Sequence, residues 1–172
     1  MAVPYYFLVP KHQHVIISIS FSPDKSLFSV QKFILGTHTS GEEQNYLMIM
    51  KARLPIAEAI NSSDIKDNKE NPFSKIESKI EIETKINHQG EINKARPMPQ
   101  IDKYNIIASK TNNGEIHIFD YHKNPPKPVD NSVKPEIKLL GHTKEGYGLS
   151  WNTIKSGFLV SGSDDNKVFN LY

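Results

Sequence analysis

Apolar and polar positions alternate with a period of two in several short runs of this chain, and no long stretch shows the 3.6-residue period of a helix. Residues 15–21, Val-Ile-Ile-Ser-Ile-Ser-Phe, partly alternate and are β-branched, which predicts a strand ended by a turn at Ser22-Pro23-Asp24. Residues 28–36 and 46–54 predict the next two strands, with the polar residues 37–45 as their hairpin loop. Residues 79–86 alternate strictly. Ile80, Ile82, Thr84 and Ile86 share one face and Lys and Glu the other, as in a half-exposed strand at an outer edge. Glu81 and Glu83 then read as edge-protecting charges. Residues 136–140 hold the same place later in the chain, after an extended Pro-rich linker at 124–128. Residues 56–78 break the pattern. Their charge and scarcity of large apolar groups predict a mobile loop over 57–78.

The runs repeat. Ile86-Asn87-His88, Ile107-Ala108-Ser109-Lys110 and Ile116-His117-Ile118-Phe119-Asp120 return as Leu140-Gly141-His142, Leu159-Val160-Ser161-Gly162 and Val168-Phe169-Asn170-Leu171-Tyr172. His142 follows His88 by 54 residues and Tyr172 follows Asp120 by 52. Short β-runs at that period predict an all-β propeller, with a first, degenerate copy before residue 88. The expected units are a first blade over about 12–88, a second over about 89–142 and the start of a third over 143–172. At about forty to fifty residues per blade, 172 residues make fewer than the roughly four to eight blades of a propeller. The expectation is therefore an incomplete propeller of about two and a half to three blades, whose unpaired strand edges could pair with another copy.

Composition narrows function more than fold. Twenty-one basic against 19 acidic residues give a net charge of +2, which is no nucleic-acid footprint. The absence of cysteine excludes disulfides and thiolate metal sites. No apolar run approaches the length of a membrane span. The short apolar N-terminus lacks the basic region of a signal peptide. His12 and His14 could share a strand face, but no third ligand accompanies them, and no metal or cofactor is expected. Gly146-Tyr147-Gly148 lacks the strand–loop–helix setting of a nucleotide site.

Gly-His before a strand, Ser-Gly-Ser-Asp-Asp in a hairpin and an aromatic-Asp pair resemble the WD-repeat pattern. More closely, Leu35-Gly36-Thr37-His38-Thr39-Ser40, residues 85–96 and residues 141–152 resemble the retinoblastoma-binding, chromatin-assembly-factor small subunits. The resemblance runs from about Phe28 to Tyr172. It implies a seven-bladed WD-repeat fold and a nuclear, non-enzymatic scaffold that binds core histones within chromatin assembly and chromatin-modifying complexes. A generic WD-repeat adaptor of another assembly is the alternative reading. The chain has Gln13-His14-Val15 where the family usually has Glu-Trp-Pro, and Leu171-Tyr172 where the final Trp-Asp stands.

Two groups of residues follow from the resemblance. His142, Ser161 and Asp165 have WD-repeat spacing and are expected to form a buried hydrogen-bond network joining strands of one blade. A catalytic triad is the competing reading, but no nucleophile elbow or oxyanion loop accompanies it. With Leu171 in place of the usual aromatic, the network should be incomplete. Counting three and five residues on from each His gives Glu91 and Asn93, then Glu145 and Tyr147. These positions open the innermost strands and should line the mouth of the central channel. Carboxylates suit guanidinium or ammonium groups, and an aromatic face suits a cation. By spacing alone these are more often solvated rim residues. The resemblance implies instead that they bind basic histone-tail peptides, joined by His38.

Overall fold

The computed structural model describes residues 18–22, 28–39, 43–55, 79–99 and 105–171 of the chain. The described residues form three antiparallel sheets. The first holds β1 (Ser18–Ser22), β2 (Phe28–Gly36), β3 (Asn45–Pro55) and β4 (Lys79–His88), in that order. The second holds β5 (Ile92–Pro97), β6 (Ile106–Thr111), β7 (Ile116–Asp120) and β8 (Ile137–Leu139). The third holds β9 (Gly148–Trp151), β10 (Leu159–Gly162) and β11 (Val168–Leu171). A single 3-10 turn at Tyr121–Lys123 is the helical element among the described residues. The fold is all-β, and the meander of strands in each sheet is that of WD-repeat propeller blades. The loop expected over 57–78, His12, His14 and Tyr172 lie outside the described residues.

The sheets stack through their apolar faces. Ile34, Leu47, Ile49 and Ile86 of the first sheet meet Ile92, Ala95, Ile107 and Phe119 of the second, with Tyr121 against the cluster. The other face of the second sheet supplies Ala108, Ile116 and Ile118, which meet Leu149 and Leu159 of the third. Ile107 and Ala108, neighbours in β6, thus feed opposite cores, as the alternation of a strand requires. Both faces of the second sheet are covered, so β6 and β7 are almost wholly buried.

Two details depart from the pattern read along the chain. In β4, Thr84 and Ile86 are buried, but Ile80 is exposed and Ile82 is 54% exposed. The register shifts there, with Ile49 opposite Thr84 and Met50 opposite Ile82. The extra residue, Glu83, is a bulge that resets the alternation, so the four residues do not share one face. Glu83 is also more than an edge charge, because it pairs with Lys32 at 3.0 Å across the sheet. The second departure concerns the Pro-rich linker. It lies along β4, where the Lys85 N–H donates to Pro126 O and the Asn87 amide donates to the carbonyls of Asp130 and Ser132. This strap satisfies backbone groups on the outer edge of the first sheet and shields that edge from strand addition.

Candidate functional site

The five residues singled out for peptide binding sit where the first strands of the sheets begin. β1 pairs β2 antiparallel, with Ser18 opposite Ile34, so His38, just past β2, lies at the starting end of β1. Glu91 immediately precedes β5 and Glu145 lies three residues before β9. The ends coincide, because side chains bridge them. His38 Nε2 lies 2.7 Å from Glu91 Oε2, joining the first sheet to the second. Asn93 Nδ2 donates to Glu145 Oε2 at 3.3 Å and to Gly146 O at 3.5 Å, joining the second to the third.

A second bulge makes the Asn93 contact possible. Ile92 pairs with Thr111 and Lys94 with Lys110, which leaves Asn93 as the extra residue of β5. Ile92 and Asn93 are consequently both buried, one in the apolar core and the other aimed at the next sheet. The Glu91 side chain is only 13% exposed and also accepts from Asn112 Nδ2 at 3.4 Å. Glu145 is exposed, and Tyr147 is 63% exposed. The cluster thus has an inner carboxylate, an outer carboxylate, a buried amide and a free-standing phenol. A carboxylate offers about four acceptor sites, so Glu91 can hold His38 and Asn112 and still receive a cation.

Beneath this end lies the hydrogen-bonded array of the third sheet. His142 Nδ1 lies 3.0 Å from Asp165 Oδ2, and His142 Nε2 lies 3.0 Å from Ser161 Oγ. The His142 and Asp165 side chains are 2% and 3% exposed and Ser161 is fully buried. The carboxylate fixes the tautomer: Nδ1–H donates to Asp165, so Nε2 accepts from the Ser161 hydroxyl. Burial pushes the Asp165 carboxyl up. Hydrogen bonds from Thr143 N–H, the His142 ring and Lys167 N–H, with attraction to His142, outweigh that and hold it at about 2. All three expected members are therefore in contact. Leu171 packs in the apolar cluster rather than in the network, while the Phe169 ring lies against His142 at 4.5 Å.

The sequence reading missed three participants. Lys110, fully buried in β6, crosses to the third sheet and donates to Ser161 Oγ at 2.9 Å and to Gly162 O. Burial lowers its pKa, opposed by the nearby Asp165 and Asp164. The second sheet also has its own pair, His88 Nε2 with Ser109 Oγ at 2.8 Å. Burial, with His117 and Lys138 nearby and only the Gly90 carbonyl opposing, presses the His88 pKa down to about 4. The signal for that pair was present: His88 and Ser109 are the repeat mates of His142 and Ser161. No comparable signal marked Lys110, whose mate is Gly162.

With this geometry in place, one comparison bears on identity. Residues 6–56 match the family described as histone-binding protein RBBP4, or the CAF1-complex component of that type. The match bears out the resemblance carried by the motifs, and the all-β architecture agrees with it. It spans β1, β2 and β3 and starts ahead of Phe28, where the motif resemblance begins. It also includes His38. The family is described by histone binding and is not an enzyme family.

Proposed function

We propose that the chain is a histone-binding scaffold that receives basic tail peptides at the end bearing Glu91 and Glu145. The observation that carries this reading is the gathering of two carboxylates, Asn93, His38 and the exposed Tyr147 at the starts of neighbouring sheets, in a chain matching a histone-binding family. Glu91 neutralises a cation in a largely desolvated position, where charge-assisted hydrogen bonds are strong. Glu145 receives a second donor at the rim, Asn93 bonds the peptide backbone and Tyr147 offers its face to a cation. The partners are core histones and other members of chromatin assembly or modifying complexes, and the setting is nuclear.

The reading includes no catalysis. Ser161, His142 and Asp165 stand in the order of a triad, but Ser161 is fully buried and its Oγ lies between His142 Nε2 and Lys110 Nζ. Held there, it serves as a strand-joining hydroxyl rather than a nucleophile.

Titration calorimetry of the chain with an Arg-containing histone-tail peptide tests the proposal. Glu91→Gln and Tyr147→Ala should each weaken binding, whereas Tyr147→Phe, which keeps the ring face, should cost much less. Unchanged affinity in both Glu91→Gln and Tyr147→Ala would remove the site.

A further inference from the structure

We propose that Lys110 is a positioning residue for peptide recognition: from inside the second sheet it holds the turn on which the Glu145–Tyr147 loop rests. The inference rests on the peptide reading above.

A buried ammonium is costly unless its donors find acceptors. Lys110 meets that demand across the sheet boundary, at Ser161 Oγ (2.9 Å) and Gly162 O. Both acceptors end β10, where the chain turns toward β11. The turn in turn holds the acidic loop. Ser163 Oγ donates to the carbonyls of Lys144 and Glu145, at 2.6 Å each, and Asp164 N–H donates to Glu145 O at 2.9 Å. Gly146 is packed so closely that a Cβ there would lie 2.6 Å from Ser163 Cα and 2.9 Å from Gly162 O. Asn93 reaches the loop from the same second sheet.

A continuous chain of contacts therefore runs from Lys110 through Gly162 and Ser163 to the backbone of Glu145, two residues before Tyr147. Lys110 touches no position where a peptide would lie, so it acts only through the loop. Its removal frees the β10–β11 turn, and Glu145 and Tyr147 lose their common placement. A clamp that served stability alone would connect Lys110 to the sheet without this onward path to the loop carbonyls.

The test is peptide affinity by calorimetry, with an Arg-containing histone-tail peptide and the full chain. Lys110→Met keeps length and removes the donors, and it is expected to weaken binding about tenfold, the combined share of the loop's two contacts. Lys110→Arg keeps cationic donors and is expected to recover most of that loss; binding no better than that of Lys110→Met would overturn the proposal. In a Glu145→Gln/Tyr147→Ala background, Lys110→Met should cost no more than about twofold, because the groups it positions are gone. A full tenfold loss in that background would show that Lys110 acts elsewhere and would overturn the proposal. If Lys110→Met does not fold, Ser163→Ala, which cuts the path one step later, carries the same expectations. Wild-type affinity in the folded variant, alongside weak binding by Glu91→Gln, sinks this inference alone. Wild-type affinity in Glu91→Gln as well as Tyr147→Ala sinks the peptide site and this inference with it.

Discussion

The two carboxylates of the candidate site differ in surroundings, and that difference makes the sharpest test of the peptide reading. Glu91 is 13% exposed and lies 2.7 Å from His38, whereas Glu145 is exposed and held by a single side-chain amide at 3.3 Å. At an effective dielectric constant of about 20, two charges about 4 Å apart attract by about 4 kcal/mol, and in bulk water by about 1 kcal/mol. Part of the inner attraction is cancelled by desolvating both partners. Truncating one member of such a desolvated, hydrogen-bonded pair costs about 2–5 kcal/mol, or at least thirtyfold in affinity. An exposed pair is worth about 0.2–1 kcal/mol, fivefold at most. Glu91→Gln should therefore weaken an Arg-containing peptide several times more than Glu145→Gln. The two should also differ in salt response. Raising ionic strength from about 0.15 M to 1 M shortens the Debye length from about 8 to 3 Å and should erase most of the Glu145 share while sparing more of the Glu91 share. Calorimetric titration of both variants at both salt levels measures this. His38→Ala is the control: an equal loss there would mean that Glu91 matters only by holding His38. A loss from Glu145→Gln that equals or exceeds that from Glu91→Gln would refute the ranking and the electrostatic reasoning behind it.

Three further outcomes concern stability. Gly36→Ala places a Cβ 2.7 Å from Ile92 Cβ and 2.8 Å from its Cγ2, so overpacking should cost about 1–3 kcal/mol in urea unfolding, relieved in part by Ile92→Ala; no change would mean the first two sheets pack more loosely than described. Trp151→Phe removes the Nε1–H bond to Arg96 O at 2.9 Å between the second and third sheets, and the orphaned carbonyl should cost about 1–2 kcal/mol by the same assay, with an unchanged midpoint refuting it. The His88 pKa is lowered in the fold, to about 4 from 6.5, so the unfolded chain binds the proton first and stability falls as pH drops through that window. Between pH 7 and pH 5 the loss should be about 2 kcal/mol, with His117, also lowered by burial, acting in the same direction, and a flat denaturation midpoint over that range would refute it.

The periodic part of the architecture was legible in the chain. Alternation and the repeat of Gly-His and Ser-Gly-Ser runs are local signals, and they led to three sheets of short strands. What was illegible was wherever one residue broke a period or reached across sheets. The Glu83 bulge in β4 turned an apparently uniform Ile face into a buried half and an exposed half. The Asn93 bulge in β5 is what aims that amide at Glu145, and a bulge depends on pairing with a distant strand, which single-strand periodicity does not carry. The Pro-rich segment at 124–128 looked like a linker because Pro opposes regular structure. Its carbonyls remain acceptors, and Pro126 O takes the β4 edge N–H. Lys110 read as one more hairpin lysine. A lysine is buried when a neighbouring element offers acceptors at the reach of its side chain, and those acceptors lie more than fifty residues away.

The two repeat copies explain how one motif gives two electrostatic outcomes. His142 and His88 each bond a serine hydroxyl through Nε2, at 3.0 and 2.8 Å. They differ at Nδ1. In the third sheet Asp165 lies there, and its carboxylate also takes the backbone N–H groups of Thr143 and Lys167. In the second sheet the equivalent residue is Asn113, which pairs instead with Thr111 Oγ1 and Glu115 N–H, so His88 turns Nδ1 to the Gly90 carbonyl. A carbonyl carries no charge to hold a proton on a buried ring, and burial then dominates. The second sheet carries this buried neutral histidine between two packed faces, with His117 5.1 Å away ring to ring. The third carries a charged network, joined to the second by Lys110. Acid should therefore loosen the second sheet first, between about pH 6.5 and 4, while the Asp165 array holds until its carboxyl titrates near 2. Hydrogen exchange at pH 5 and pH 7 reads the order directly: amides of β6 and β7 should lose protection before those of β10, and loss in the reverse order would show that the Asn113 substitution does not set the acid response.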